Sequence, residues 1–325
     1  MTDSTTIDIM NTMYIKKLFM AAVLVLSSFA VQAQDVIISR KTTTTTTTST
    51  TTVPKPKPNK PSPTDFPGQT FTANGVSFKM ILVEGGTFTM GATDEDGEEE
   101  EEPTHRVTLS SYYISETEVT QALWEAVMGT TISQQHEKAL SNKSNTKDYP
   151  LYNVGDNHPM YYVSWDECQS FIQRLDSLTG RKFHLPTEAE WEFAARGGKR
   201  SKNNMYSGGN LYTIRKVMWC ESYNKKGELI TGPHPVKTKA PNELGIYDMS
   251  GNVAEWCQDW FGPYTSSSQT NPTGPETGTK RVTRGGDWMT YPHGCRVAFR
   301  REDVNYEPFY SSFRIGFRLA LNTEQ

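Results

Sequence analysis

Four cysteines are the side chains of this sequence with the clearest capacity for chemistry: Cys168, Cys220, Cys257 and Cys295. None stands in a CxxC pair, and their spacing does not indicate a dense disulfide framework. Cys220 and Cys257 each follow a tryptophan and could form a disulfide, a pairing that the sequence does not fix. Cys295 could be a catalytic thiol, a ligand for a soft metal, or a buried structural residue that packs as a small hydrophobe.

The charged residues exclude one class of partner and leave others open. A net charge of −4 at pH 7 gives no support for nucleic-acid binding. The acidic run from Asp94 to Glu102 could hold calcium or a partner, but such a run is more often a solvated loop. Some arginines of residues 284–318 could hold an anionic ligand. More are expected to pair with carboxylates such as Glu255 and Asp259, because planar guanidinium groups stabilise irregular loops through bidentate bonds.

Three helices are predicted to position these side chains. The first runs from about Thr120 to Met128, with Thr120 as its N-cap. The second begins at Ser164, which forms a capping box with Glu167, and the third begins at Thr187, which forms a box with Glu190. Each box satisfies two backbone N–H groups that the first helical turn would otherwise leave unpaired.

Strands are predicted mainly before the first helix. Alternating apolar residues over 71–83 predict one strand, and Gly85-Gly86 predicts a turn into a second strand, 87–90, of the same hairpin. Short strands are expected at 107–109 and 112–114. After Asn203 the regular patterns give way to Gly, Asn, Pro and aromatic residues. This composition predicts long loops packed on aromatic side chains, with function on a loop-built surface.

The first 65 residues are predicted to lie outside the folded domain. Lys16 and Lys17 precede an apolar run that ends at the small-residue cleavage site 31–33, which predicts a signal peptide over residues 1–33. The run is too short for a comfortable transmembrane span, so we expect an exported chain, periplasmic, surface-bound or secreted, with no transmembrane segment after cleavage. Residues 34–65, rich in Thr, Ser, Pro and Lys, predict a disordered tether, and 66–325 a single domain.

Seven phrases occur in one order along this domain. They are EGGTFTMG (84–91), EVT (118–120), VSW (163–165), LPTEAEWE (185–192), GIYDMSGNVAEW (245–256), RGG (284–286) and GFR (316–318). Together they resemble the formylglycine-generating enzyme, or sulfatase-modifying factor, family over about residues 78–321. The resemblance implies an α+β fold related to C-type lectins: one domain with few strands, three helices and long irregular loops.

The resemblance also implies a chemistry, from which this chain departs. Enzymes of the family oxidise a sulfatase cysteine to formylglycine with O₂ and a copper ion held by two cysteine thiolates, because soft thiolates select Cu(I). On this chain the second thiolate falls on Cys295, the first on Thr290, and a serine that helps to handle oxygen on Asp287. A threonine hydroxyl is a hard, neutral ligand. We therefore expect no copper and no oxidase activity; Cys295 is the candidate catalytic residue if a reaction is retained.

A structural calcium ion is the cofactor that the resemblance does support. The matching positions are the side chains of Asp248 and Glu255 and the carbonyls of Gly251 and Val253. Carboxylates and carbonyls closely spaced in a turn suit a hard cation that accepts irregular oxygen cages. The alternative is that the two carboxylates cap turns and pair with arginines. A second calcium site of the family would involve the neighbourhood of Asn224, where further ligands are not evident.

Two hypotheses about function remain. The first is an exported, non-oxidising binding or scaffold module that recognises a peptide, glycan or envelope partner through a cleft at Trp288, Tyr291, His293 and Arg296, whose aromatic residues could instead be ordinary core packing. A related form of it is a variable lectin-like protein of the diversity-generating type. The second is a formylglycine-generating oxidase with an altered metal site.

Overall fold

The computed structural model describes residues 66–93, 96–141, 149–223, 226–301 and 310–323. The predicted signal peptide and tether lie outside the described residues, as does Asn224. The α-helices found there are α1 (Gln121–Met128), α2 (Ile132–Leu140), α3 (Trp165–Thr179), α4 (Glu188–Ala195) and the short α5 (Ile214–Val217). The strands are β1 (Gly68–Ala73), β2 (Val76–Val83), β3 (Gly86–Met90), β4 (His105–Leu109), β5 (Tyr112–Ser115), β6 (Phe183–His184), β7 (Ala254–Trp260), β8 (Gln269–Thr270), β9 (Arg281–Arg284), β10 (Ile315–Phe317) and β11 (Ala320–Asn322).

The strands form three sheets, which confirms a mixed fold with long irregular connections. The largest sheet has the order β1-β2-β5-β11-β6, and the two three-stranded sheets have the orders β10-β7-β9 and β3-β4-β8. The last strand, β11, pairs antiparallel with both β5 and β6. Strand β11 therefore lies inside the main sheet, where it pairs with strands that are far from it in sequence.

All three predicted helices are confirmed, because their caps are local in sequence. Thr120 accepts a hydrogen bond from the backbone N–H of Leu123 at the start of α1. The predicted capping boxes begin α3 at Ser164 and α4 at Thr187. Two further helices, α2 and α5, were not predicted. The capping box of α2, formed by Thr131 and Gln134, was present in the sequence as a signal.

The predicted hairpin of 71–83 with 87–90 is wrong. An Asn74-Gly75 turn, with both residues at positive φ, divides the first stretch into the antiparallel pair β1 and β2. Strand β3 pairs instead with β4 in a different sheet. The pairing of a strand is set by the tertiary packing of its faces, which alternation along the sequence does not specify.

The small sheet β10-β7-β9 positions the residues of the candidate site. Glu255 of β7 lies opposite Arg284 of β9 on one side and Gly316 of β10 on the other. Gly316 has no room for a side chain, since a Cβ there would lie 2.4 Å from the backbone oxygen of Met160. The core behind this sheet contains the fully buried Trp256, whose indole N–H donates to the carbonyl of Val163. In the described part of the chain, no helix combines the length and apolar character needed to cross a bilayer.

Candidate functional site

Asp287 and Thr290, in the loop after β9, form a closed hydrogen-bond network with Arg314, which directly precedes β10. The hydroxyl of Thr290 donates to Oδ2 of Asp287 at 2.7 Å, and Arg314 donates from Nε to the same oxygen at 2.9 Å. Nη2 of Arg314 also donates to the Thr290 hydroxyl, at 3.1 Å. The backbone N–H of Met289 donates to the other carboxylate oxygen, Oδ1. The carboxylate is therefore satisfied by protein groups on both oxygens.

The cavity beside this network is small. The cavity lined by Asp287, Thr290 and the two glycines Gly285 and Gly286 has a volume of about 10 Å³. A single water needs roughly 10–15 Å³ of such volume, so at most one water fits. Gly286 cannot be enlarged, because a Cβ there would lie 2.7 Å from the sulfur of Cys295. Among the described residues, this cavity therefore holds at most one water.

Cys295 is a buried, neutral thiol. Its side chain packs in a small cluster with Tyr206, Val217 and Met218, against which Cys220 also packs. Burial raises the pKa of the Cys295 thiol, and the nearby Cys220 and Asp287 raise that pKa further. The thiolate that nucleophilic attack or copper binding requires is therefore disfavoured.

The four cysteines are free thiols, so the disulfide between Cys220 and Cys257 that the sequence left open is not formed. Cys257 lies in β7, inside the second core cluster, whereas Cys220 packs on the cluster of Cys295. A tryptophan before each cysteine carries no information about which core cluster the two side chains enter.

The predicted calcium ligand Asp248 is a buried carboxylate with one unused oxygen. Oδ2 accepts the backbone N–H of Lys237 at 2.9 Å, whereas Oδ1 is buried and has no hydrogen-bond partner among the described residues. Burial, and less strongly the charge of Glu255, raises the pKa of Asp248 to about 6. An unsatisfied buried carboxylate oxygen is costly, and a bound cation is one way to satisfy it.

Glu255, the second predicted carboxylate ligand, is held by an ion pair. Arg318 donates to both of its oxygens, at 2.6 and 2.7 Å, and the indole N–H of Trp191 donates to Oε2 at 2.6 Å. The sequence left two alternatives for this residue, and the pairing with an arginine is present in the structure. A cation at Asp248 would have to share Glu255 with Arg318.

A third buried carboxylate, Glu118, lies near this pair and was not predicted. Its oxygens accept hydrogen bonds from the side chain of Asn252 and the backbone N–H of Val253. Burial raises the pKa of Glu118 well above its usual range, and the charges of Asp248 and Glu255 add to the rise. When all three are ionised, the carboxylates around the guanidinium of Arg318 carry an excess of negative charge, which a divalent cation would offset.

The loop that carries the two carbonyls of the predicted calcium set is held in place by backbone hydrogen bonds. The N–H of Gly251 donates to the carbonyl of Gly285 at 2.8 Å, and the N–H of Asn252 donates to that of Trp219 at 2.7 Å. Gly251 has φ 82°, and a Cβ there would lie 2.0 Å from the oxygen of Trp219. Among the described residues no three or more His, Cys, Asp or Glu side chains converge as a metal-binding group. That finding concerns side chains alone, whereas the predicted calcium set combines two carboxylates with two backbone carbonyls.

The four residues predicted to line a cleft do not share one surface. Trp288 and Arg296 are buried, at 1% exposure each, so neither offers a surface to a ligand. Trp288 packs against Tyr152 and Phe313, which is the core packing that the sequence left open as the alternative. The burial of Arg296 has a clear cause, a bidentate ion pair with the equally buried Glu101 at 2.6 and 2.8 Å. His293 is half exposed and bonds to Glu98, and Tyr291 is exposed.

The acidic run is therefore more than a solvated loop. Glu98 and Glu101 bond to His293 and Arg296, and Arg300 donates to the backbone oxygen of Glu100. The run joins the far C-terminal segment through three neighbouring residues. Its anchoring residue Glu101 could not be distinguished from the other glutamates of the run by sequence.

Comparisons with known proteins identify the family of this chain. The model of the sulfatase-modifying factor enzyme 1-like domain matches residues 69–323. The chain belongs to this family. It is 31% identical over 290 residues to the formylglycine-generating enzyme of Streptomyces coelicolor, covering 74% of this chain and 88% of that protein. It is also 31% identical over 254 residues to the chaperone protein LppX of Paenibacillus barcinonensis, covering 69% and 83%.

Among solved structures, the chain is similar to Treponema denticola variable protein 1, with a TM-score of 0.64 and 30% identity. The similarity covers 78% of this chain and 99% of that protein. The family thus includes proteins that are named as enzymes and proteins that are named otherwise. Membership fixes the fold of this chain and leaves its activity to be argued from its own residues.

Sequence reasoning missed one functional partner in particular. Arg314 completes the network of Asp287 and Thr290 from 24 residues further along the chain. An acidic residue at the serine position of the family was a signal that a cation would have to lie near it. Several arginines follow in the sequence, and only the tertiary structure shows that Arg314 is the one that contacts Asp287.

Proposed function

We propose that this chain is a non-oxidising member of the sulfatase-modifying factor family that acts as an exported binding module for a protein or peptide partner. The observation that carries the proposal is the network of Asp287, Thr290 and Arg314. It occupies the positions at which the oxidase carries a serine and a thiolate. The remaining thiol, Cys295, is buried and neutral, and the cavity beside it is about 10 Å³.

The contact surface is proposed to centre on Tyr291 and Tyr223. These two side chains are 70% and 57% exposed, and Met289 beside them is 39% exposed. A hydrogen bond from the backbone N–H of Glu221 to the carbonyl of Thr290 joins the two segments at 3.0 Å. Exposed tyrosine and methionine are enriched at protein interfaces, and a surface of this kind is consistent with a peptide or protein partner. A glycan is the alternative ligand.

A copper assay tests the loss of oxidase chemistry. The purified domain, Cu(I), O₂ and a sulfatase peptide carrying Cys-x-Pro-x-Arg are incubated, and the peptide mass is followed for conversion of cysteine to aldehyde. We expect no conversion and no stoichiometric copper binding by the unchanged protein. The double variant D287S/T290C, which restores the serine and the first thiolate, is expected to gain copper binding that C295S abolishes.

Turnover by the unchanged protein that C295S abolishes would instead establish the second candidate function, a formylglycine-generating oxidase. The 31% identity to the Streptomyces coelicolor enzyme and the retained Cys295 favour that candidate. An active formylglycine-generating enzyme serves as the positive control for the peptide and the copper reagent.

A binding assay tests the proposed surface. Peptide and glycan arrays are probed with the unchanged domain and with Y291A, Y223A and Y212A. Tyr212 is 97% exposed and lies outside the proposed surface, so Y212A is a matched control. We expect peptide signals that Y291A and Y223A remove and Y212A retains. Signals that are equal in all four proteins would place the contact surface elsewhere.

We also propose a structural calcium ion at Asp248, with the carbonyls of Gly251 and Val253 and a shared oxygen of Glu255. The unsatisfied oxygen of Asp248 and the three buried carboxyl groups around Arg318 support it. Export is proposed from the predicted signal peptide, and cleavage after Ala33 in the secreted protein would establish it.

A further inference from the structure

A second and larger cavity lies beside the N-terminus of α4, away from the network of Asp287. It has a volume of about 560 Å³, within the range of roughly 300–1,000 Å³ that is typical of small-ligand sites. Its deep part is lined by charged and aromatic side chains, and its rim by polar residues of the loop after β7. The deep residues are His105, Glu188, Asp259, Tyr264 and Arg300.

The arginines near this cavity are already paired. Arg300 donates to both oxygens of Glu188, at 2.7 and 3.0 Å, and also to the backbone oxygens of Glu100 and Gly262. Arg284 is shared between Glu188 at 2.9 Å and Glu192 at 2.6 Å. Guanidinium groups bound in this way have little capacity left for an anionic ligand, so an anion is disfavoured.

Asp259 is the carboxyl group of this cluster that has no cationic partner among the described residues. Its side chain is 4% exposed and lines the cavity. Oδ2 accepts the backbone N–H of Glu188 at 2.9 Å, and no hydrogen bond to Oδ1 is found in the described ranges. The sequence had predicted an arginine partner for this residue. That prediction is wrong, because Arg284 and Arg300 both form ion pairs with Glu188 instead.

Two aromatic side chains of the cavity already contact arginines. Arg300 lies 3.9 Å from the ring centre of Tyr264, and Arg281 lies 3.4 Å from that of Trp260. The group left to recognise a ligand is the carboxyl of Asp259, with hydroxyl and amide side chains around it. Those at the rim are Thr265, Gln269, Thr270, Asn271 and Thr273. A compact donor of several N–H bonds fits such an arrangement.

We propose that this cavity binds a primary ammonium group, such as a lysine side chain or a small alkylammonium ion, with Asp259 as its counter-ion. The ammonium group donates one N–H to the Asp259 carboxylate and the others to rim oxygens. The site goes beyond the proposed surface at Tyr291 and does not depend on it.

Binding at this site is coupled to a proton. Burial, and next the charge of Glu188, raises the pKa of Asp259 to about 8, so the free protein holds a neutral carboxyl group at neutral pH. The ammonium ion binds the ionised form, and the carboxyl proton leaves to solvent. The other charged or titratable groups around Asp259 are Glu188, Glu190, His105, Arg281 and Arg300. Affinity is therefore expected to fall by about 25-fold between pH 8.5 and pH 6.5, because the ligand must displace the proton below pH 8.

Titration calorimetry with n-butylammonium chloride tests the proposal, with n-butanol as the neutral isostere and sodium butyrate as the anion. The variants are D259N, which keeps an oxygen for the N–H of Glu188, and D176N as a matched control. Asp176 also accepts a backbone N–H, from Phe183 at 2.8 Å, and does not line the cavity. Thermal unfolding confirms that each variant is folded.

We expect saturable binding of butylammonium at pH 8.5 that D176N retains and D259N weakens at least tenfold. Titrations at pH 7.0 in buffers of different ionisation enthalpy should show release of close to one proton in the unchanged protein, which reports on Asp259 without any variant. Equal binding of butanol, equal binding by D259N, binding without proton release at pH 7.0, or no binding by the folded protein would each overturn the proposal.

Discussion

Oδ2 of Asp287 accepts hydrogen bonds from both the hydroxyl of Thr290 and the guanidinium of Arg314, at 2.7 and 2.9 Å. One carboxylate oxygen therefore joins two positions that the oxidases of the family use for chemistry. The contribution of this network can be measured as stability.

Substitution of Asp287 by Ala is expected to lower the free energy of unfolding by about 2 kcal/mol. Thr290, Arg314 and the N–H of Met289 would each lose an acceptor, and the partial exposure of Arg314 limits the cost. Urea unfolding provides the measurement. E84A is the control, since Glu84 forms only an exposed pair with Lys199 at 3.9 Å. If D287A and E84A are equally stable, the network is not a structural element.

Substitution of Arg296 by Met is expected to cost about 3–5 kcal/mol, because it leaves the fully buried carboxylate of Glu101 without its cation. H293Q disrupts the neighbouring pair of His293 with Glu98, which is half exposed, and should cost less than about 1 kcal/mol. Both are measured by urea unfolding at neutral pH. A similar cost for the two variants would contradict the anchoring role of Glu101 in the acidic run.

Calcium is expected to raise the melting temperature of the EDTA-treated protein, by an amount equivalent to about 2.7 kcal/mol at 100 times its dissociation constant. D248N is expected to lose this response. In EDTA the same variant should be at least as stable as the unchanged protein, because it removes one of three neighbouring buried carboxylates. E255A is a poorer test, since it also frees Arg318 and Trp191. Melting temperatures that are indifferent to EDTA and calcium would refute the site.

Asp259 is expected to make the protein less stable as the pH rises from about 4 to about 8. The folded state keeps the carboxyl proton up to a pKa of about 8, whereas the unfolded chain loses it near pH 4. The folded state binds more protons in this window, so its stability falls with increasing pH and levels off above pH 8. The difference in unfolding free energy between D259N and the unchanged protein, followed from pH 5 to pH 9, isolates this contribution. A difference that does not change with pH would show that Asp259 is already ionised in the folded state.

Thiol labelling of the native protein is expected to modify Cys220 first. Cys220 is half buried, whereas Cys168, Cys257 and Cys295 are fully buried, and burial raises the pKa of all four thiols. Reaction with an aromatic disulfide reagent, followed by mass spectrometry, should show one modified cysteine without denaturant and four with it. Rapid labelling of Cys295 in the native protein would contradict its assignment as a buried structural residue.

The sequence by itself determined the features that depend on neighbouring residues or on residue identity. The caps at Thr120, Ser164 and Thr187 predicted three helices, because capping bonds form within one turn. The ordered phrases determined the family and thereby the fold. The presence of Thr290 and Asp287 already argued against copper. That argument depends only on the atoms that these two side chains carry.

The tertiary structure alone decided which distant groups meet. It placed β3 against β4, it selected Arg314 for Asp287, and it buried Arg296 against Glu101. It also left Asp259 without the arginine that composition had suggested. Each outcome depends on competition among many similar charges and strand edges for a few partners. That competition is resolved by packing in three dimensions and has no signature in the order of the residues.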